Sequence, residues 1–224
     1  MDASTGANIC CICRKSDTDD LAYGKWESIR GYKAHQFCLL LLTKSRGIDD
    51  VIENGEIQLK EFDTSICYVC NEKNATVFCS AKNCQRAFHV VCGEKKHCLM
   101  KYVEPYDAYC DEHHGILEIP PASWECQACW ESFGQPEHEN NRSPVDFIPS
   151  CCRHGWYHRR CIRKQAHFSG DNMKCPSCGA MGDDRATFQR FVQTRGVFIP
   201  KRSALYPLHL DEKKKNLAEK ERSL

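Results

Sequence analysis

The sequence has no uninterrupted apolar stretch approaching the roughly 20 residues that a membrane-spanning helix needs. Its opening residues, Met1 to Asn8, hold neither a basic cluster nor an apolar core of the kind that directs secretion. These absences argue against a membrane partner and against an oxidising destination, so the cysteines are expected to be reduced thiols inside the cell. Charge of one sign is not in excess either. Lys and Arg number 31 against 30 Asp and Glu, for a net charge of +1, so no global field draws the chain to nucleic acid or to an anionic surface. A glycine-rich phosphate loop and a G-x-S-x-G elbow are also missing, and no base is placed beside the thiols Cys11 and Cys98. An enzyme working through its own nucleophile is therefore not expected.

Cysteine is what the sequence has in plenty: 18, with 10 histidines, in 224 residues. Their spacing is that of metal ligands. Cys-x2-Cys and His-x2-Cys pairs each put two donors on one turn of chain, and two such pairs complete the tetrahedron that Zn2+ requires. A structural zinc contributes roughly 10–16 kcal/mol of apparent folding free energy in small fingers, which replaces the core that short segments cannot bury.

The first set reads Cys10-x2-Cys13 and His35-x2-Cys38, with Cys11 left over. Leu39 to Leu42 follow directly and suit a short buried helix. A polar stretch over 45–63 leads to the second set, Cys67-x2-Cys70, Cys79-x4-Cys84, His89-x2-Cys92 and Cys110-x2-His113, which has donors for two sites. Phe88 supplies an apolar body beside His89, while His97, Cys98 and His114 stay unassigned. Pro120 and Pro121 lie in a stiff connector over 115–123. The third set comprises Cys126-x2-Cys129, Cys151-Cys152, His154, His158-x2-Cys161 and Cys175-x2-Cys178. Here two solutions stand: Cys152 with His154, or Cys151 with Cys152. A polar insert over 135–143 reads as an exposed loop. Phe188, Phe191 and Val192 fit one short amphipathic helix over 186–194, stopped near Gly196. The closing residues, 204–224, are highly charged.

A knuckle with Cys-x2-Cys and His-x2-Cys pairs, followed by a finger ending in Cys-x2-His, resembles the extended PHD finger of chromatin proteins. The block from Cys151 to Cys161, the Cys175-Pro176-x-Cys178 pair and the Gly196-Val197-Phe198-Ile199-Pro200 step are similar to the extended-PHD plus PHD/RING-like finger family. That family includes PHD finger protein seven, the amino-terminal region of a cell-cycle HECT-type E3 ligase, and Pineapple eye. The resemblance implies a small zinc-stabilised α+β fold holding about five structural Zn2+ ions. It would comprise an extended PHD finger over 7–115 (a one-zinc knuckle at 7–45 and a two-zinc PHD at 65–115), then a two-zinc PHD/RING-like finger over 124–180. A helix and extension over 185–203 and a charged tail over 204–224 would follow. It also implies interleaving, with Cys67, Cys70, His89 and Cys92 on one zinc and Cys79, Cys84, Cys110 and His113 on the other. The family position matching His154 is usually Asn, and no HECT catalytic segment is present in this sequence.

By the same resemblance the work is nuclear and chromatin-linked: recognition of a histone tail, another chromatin protein or DNA, with a ubiquitin-conjugating enzyme as a further partner of the second finger. Ala128, Trp130, Trp156 and Pro176 are candidates for that last surface. Tyr102, Tyr106 and Tyr109 are candidates for an aromatic cage, and Glu104, Asp107, Asp111 and Glu112 for contacts to a basic tail. Two basic groups could meet phosphates: Arg153, Arg159, Arg160, Arg163 and Lys164, and Lys95, Lys96 and Lys101.

Overall fold

The computed structural model describes residues 9–29, 31–46, 52–53, 56–57, 65–134, 142–152, 155–179 and 183–201. Most of the polar stretch 45–63 and of the insert 135–143, and all of the charged tail 204–224, lie outside them. Among the described residues no helix is long and apolar enough to cross a membrane.

The strands are too short to bury a face of their own. Among the described residues they form two-stranded antiparallel pairs: β1 (Trp26–Ile29) with β2 (Tyr32–His35), β3 (Ile52–Glu53) with β4 (Glu56–Ile57), β5 (Val77–Phe78) with β6 (Ala87–Phe88), β7 (Leu99–Met100) with β8 (Ala108–Tyr109), and β9 (Phe147–Pro149) with β10 (Trp156–His158). Three of these hairpins run straight into a helix, α1 (Gln36–Arg46), α2 (Val90–Lys95) and α3 (Arg159–Ser169). The junction residue is a histidine each time: His35, His89, His158. At α2 and α3 that histidine is the N-cap, with extended backbone (ψ 149° and 136°). The cysteine three residues on falls in the first helical turn, on the same side as the histidine. The His-x2-Cys pair is thus a strand-to-helix corner.

Two apolar clusters form around these corners. The first gathers Ile12, Phe37, Leu42, Phe88, Val90 and Met100, and the second Ile148, Tyr157, Ile162, Met173, Phe188 and Val192. The leucine run lies in α1 as its composition suggests, with Leu41 and Leu42 buried. The last helix, α4 (Asp183–Thr194), begins three residues earlier than the apolar spacing alone indicates. Asp183 and Asp184 occupy its first turn, where carboxylates favour the positive helix end. Its stop is a full Schellman motif. The Val197 N–H donates to the Val192 carbonyl (3.1 Å), the Gly196 N–H donates to that of Gln193 (3.3 Å), and Gly196 takes φ +79°.

The polypeptide beyond α4 returns to the first cluster. Phe198 packs on Phe37 and Tyr102 (centroids 5.1 and 5.8 Å), and the Tyr102 N–H donates to the Gln193 carbonyl (3.0 Å). A Cβ on Gly196 would lie 3.2 Å from Arg159 Nη1 and 3.3 Å from the Met100 carbonyl, so the close approach of the two clusters depends on glycine there. The connector is also tied down: Pro120 is buried, and its carbonyl accepts from Arg142 Nη1 (2.8 Å).

Candidate metal centres

Among the described residues five sets of four donors converge, each with its ligand atoms within 4.8 Å of one another: Cys10, Cys13, His35 and Cys38; Cys67, Cys70, His89 and Cys92; Cys79, Cys84, Cys110 and His113; Cys126, Cys129, His158 and Cys161; Cys151, Cys152, Cys175 and Cys178. The second and third sets interleave along the chain, and so do the fourth and fifth. In the last set the structure brings Cys151 and Cys152 together with Cys175 and Cys178, while His154 lies outside the described residues.

Local backbone geometry explains why Cys-x2-Cys works as a donor pair. In three knuckles the first cysteine N–H donates to the carbonyl five residues on: Cys10 to Lys15 (3.0 Å), Cys67 to Glu72 (2.9 Å) and Cys126 to Glu131 (2.9 Å). The carbonyls of Cys10, Cys67, Cys126 and Cys175 accept from the N–H four residues on. That tight return needs a left-handed residue after the second cysteine. Arg14, Asn71, Trp130 and Gly179 fill this position, with φ between 57° and 63°. Only two of these are the residue types that adopt the conformation cheaply.

Each histidine presents Nδ1 to the sulfurs. His35 Nδ1 is 3.5 Å from Cys13 Sγ, and His89 Nδ1 is 3.5 Å from Cys70 Sγ. His113 Nδ1 is 3.1 Å from Cys110 Sγ, and His158 Nδ1 is 3.4 Å from Cys129 Sγ. The opposite nitrogen fixes the tautomer: His35 Nε2 donates to the Asp17 carbonyl (2.8 Å), and His89 Nε2 to that of Lys73 (2.9 Å). These outer partners are backbone atoms, so no residue type in the sequence announces them. Backbone N–H groups of His35, Cys110 and His158 also donate to Cys10, Cys79 and Cys126 Sγ, at 3.4 Å each.

The donor chemistry fits Zn2+. Four sets combine three cysteines with one histidine and the last is all cysteine, the soft, four-coordinate combinations of structural zinc. In the first set all four ligands are buried. Hydrogen bonds from Cys13 and Cys38 hold the Cys10 thiol well below its ordinary range, and the bond to Cys10 pushes Cys13 up to about 12. Protein hydrogen bonds thus favour a single anionic sulfur, whereas a divalent cation lets three thiolates sit together. The residues would hold five structural zinc ions with every position filled by protein.

The remaining candidates divide. Cys98 is buried with its sulfur 3.0 Å from the Tyr68 hydroxyl, which donates to Asp111 Oδ1 (2.9 Å), and burial pushes its thiol up to about 11. Cys11 is half-buried, and its thiol is likewise raised by burial. His114 is exposed. His97 Nδ1 meets Asp146 Oδ2 at 2.9 Å. The three tyrosines do not form an open cage, since Tyr102 is buried and the Lys101 ammonium covers the Tyr109 ring (4.8 Å). Asp107 faces Lys101, Asp111 faces Lys96 and Arg86, and Glu112 faces Arg86.

The basic groups differ from a phosphate-binding stripe. Arg159 and Arg163 lie on one face of α3 as their spacing requires, but that face is turned inward. Both are buried and pair with Glu94 of α2 (Arg159 Nη2 to Oε1, 2.9 Å; Arg163 Nη2 to Oε2, 3.0 Å). Arg163 Nε donates to the Gly196 carbonyl (3.0 Å). Arg160 pairs with Asp19 (2.7 Å), Lys95 with Asp17, and Lys96 with Asp111 (3.4 Å). Arg153 is outside the described residues, and Lys164 is exposed. On the second finger Ala128, Trp130 and Pro176 are exposed, Trp130 at 70%, whereas Tyr157 is fully buried.

Residues 35–114 match the family of PHD-like zinc-binding domains; the matched segment contains the second and third donor sets complete, with His35 and Cys38 of the first. Among curated proteins the chain is similar to the Pineapple eye protein of Drosophila melanogaster, 28% identical over 212 residues that make up 88% of this chain and 34% of that protein. It is also similar to the G2/M phase-specific E3 ubiquitin-protein ligase of Homo sapiens, 26% identical over 218 residues, 90% of this chain and 30% of that protein. The chain thus spans about a third of the length of these relatives. Among solved structures, the crystal structure of zebrafish PHF14-PZP aligns with 49% of this chain and 64% of that one, at 19% identity and a TM-score of 0.36.

Proposed function

We propose that this chain is a nuclear recognition module that binds a chromatin protein, with a basic histone tail as the expected partner, and that its second finger offers a surface to a ubiquitin-conjugating enzyme. The observation that carries this reading is that each of the five donor sets supplies four protein ligands. A closed tetrahedral site leaves no position for water or substrate, so the metal shapes surfaces and takes no part in chemistry. Similarity to a protein named as an E3 ubiquitin-protein ligase supports the link to ubiquitin, and the PHD-like match supports a chromatin partner. DNA is the weaker partner, because Arg159, Arg160, Arg163, Lys95 and Lys96 are all paired with carboxylates. Binding of the zinc-loaded chain to a panel of histone peptides, read by fluorescence anisotropy, tests the reading. Affinity for none of them would remove the histone tail as the partner.

A second reading makes the chain itself a RING-type E3 ubiquitin-protein ligase. It is favoured by Trp130, which stands 70% exposed at the left-handed tip of a zinc knuckle, and by Pro176, exposed between Cys175 and Cys178. Such a ligase makes no covalent bond to ubiquitin; it holds a charged conjugating enzyme on an apolar patch. Discharge of ubiquitin from a panel of conjugating enzymes decides the matter, with Cys152→Ala as the unfolded-finger control. Transfer that vanishes in the control supports a ligase, and no transfer from any enzyme leaves a recognition module.

A further inference from the structure

All eighteen cysteines fall within the described residues, and only Cys151 and Cys178 are exposed. These two face each other across the all-cysteine set, with their sulfurs 3.5 Å apart. In the first donor set, by contrast, all four ligands are buried, and in the second to fourth every sulfur is buried or half-buried. Two exposed cysteines therefore meet at one centre only. Among the described residues that centre is also the one with no imidazole donor, so its four donors Cys151, Cys152, Cys175 and Cys178 are all oxidisable thiolates.

We propose that Cys151 and Cys178 form a peroxide-sensitive dithiol that closes to a disulfide and releases the ion held by Cys151, Cys152, Cys175 and Cys178, leaving the other four centres loaded. Thiolate character and access together decide which cysteines oxidise, and both conditions coincide here.

The step balances with hydrogen peroxide as the oxidant. The sulfur of one exposed thiolate attacks a peroxide oxygen; an S–O bond forms, the O–O bond breaks, and hydroxide leaves and takes a proton from a buffer acid. The second thiolate attacks the sulfenyl sulfur; the S–S bond forms, the S–O bond breaks, and a second hydroxide leaves. Two sulfurs lose two electrons in all, the peroxide gains two, and the two hydroxides take two protons from the buffer to give two water molecules. Cys152 and Cys175 remain as two donors where four are needed, and they take up protons as the ion departs. The loop bearing Pro176 and Ser177 then loses its anchor, though the Tyr157 hydroxyl still meets Ser177 Oγ.

The test is stepwise peroxide titration of the full zinc-loaded chain. Released zinc is followed with a chromogenic chelator, and disulfides are mapped by peptide mass spectrometry after alkylation. The expected result is that the first zinc released, one of five per chain, appears together with a Cys151–Cys178 disulfide, and that thiol reductant with added zinc restores the original metal content. Zinc leaving all centres together, or a first disulfide mapped to any other set, would overturn the proposal. Cys151→His gives this centre the same three-cysteine, one-histidine donor set as the other four; it should keep its metal and give no early zinc release. Early release from a metal-loaded Cys151→His chain would also overturn it. Should that variant fail to take up metal, the disulfide map of the unaltered chain decides alone.

Discussion

Glu94 and Arg163, 69 residues apart in sequence, meet through both guanidinium Nη atoms and both carboxylate oxygens, with Nη2 to Oε2 at 3.0 Å. Arg159 donates to the same carboxylate (2.9 Å), and both arginines are nearly inaccessible, with 4% and 8% of their side chains exposed. A single acid on α2 therefore pairs with two buried cations on α3.

Glu94→Ala leaves those cations without it, and among the described residues Asp146 (3.3 Å from Arg159) is the carboxylate that remains paired with them. Removing one partner of a buried pair costs about 3–5 kcal/mol, and the loss should appear as a lower denaturant midpoint in protein that retains its zinc.

The same site carries a pH signature. Burial alone would raise the Glu94 carboxyl, but the charges of Arg163 and Arg159 and the hydrogen bond to Arg163 outweigh it and hold the group below its ordinary value. A depressed acid stabilises fully above the unfolded carboxylate range, and its contribution is lost as pH falls through the lower folded value. The stability difference between the unaltered chain and Glu94→Ala should thus be constant near neutrality and shrink in acid. The comparison is confined to pH values at which both proteins still hold their zinc, because acid also protonates the metal ligands. A gap that widened on acidification would contradict the sign.

Gly196→Ala should destabilise without loss of metal. The left-handed conformation costs an L-residue about 1–2 kcal/mol, and the added Cβ meets Arg159 Nη1 and the Met100 carbonyl at 3.2 and 3.3 Å. Thermal unfolding with an unchanged zinc count measures it.

Zinc removal should unfold the chain. A finger zinc is worth roughly 10–16 kcal/mol, against about 5–15 kcal/mol for a whole domain. Strong chelator should abolish the near-ultraviolet circular dichroism, and native mass spectrometry should count five ions before treatment.

Trp130→Ala should leave folding unchanged within about 0.5 kcal/mol, because the ring is 70% exposed. Under the ligase reading, ubiquitin discharge falls sharply in this variant while zinc content and unfolding midpoint stay put.

The metal sets are legible in sequence because a tetrahedral ion takes two donors from one turn, and this stamps a short fixed spacing on the chain. Phe188 and Val192 mark α4 for a similar reason, a local period. The fifth set is harder to read: Cys151, Cys152 and His154 crowd three donors into four residues, and spacing alone does not choose among them. The Glu94 seam leaves no local trace. Arg159 and Arg163 read as a basic helical face, and only the packing of α3 against α2 turns that face from solvent to a carboxylate. Contacts of such sequence separation depend on how corners are assembled, and no window of residues encodes them.

The seam also has a place in time. A ribosome adds roughly 5–20 residues per second, so Glu94 emerges seconds before the arginines that lie 65 and 69 positions later. All donors of the first three metal sets have been translated by residue 113, and these centres can capture zinc while the rest of the chain is still being made. For that interval the nascent protein displays Phe37 and Tyr102, the aromatic faces that Phe198 eventually covers. The first three metal centres can thus be loaded before Phe198, the residue that covers Phe37 and Tyr102, has been translated.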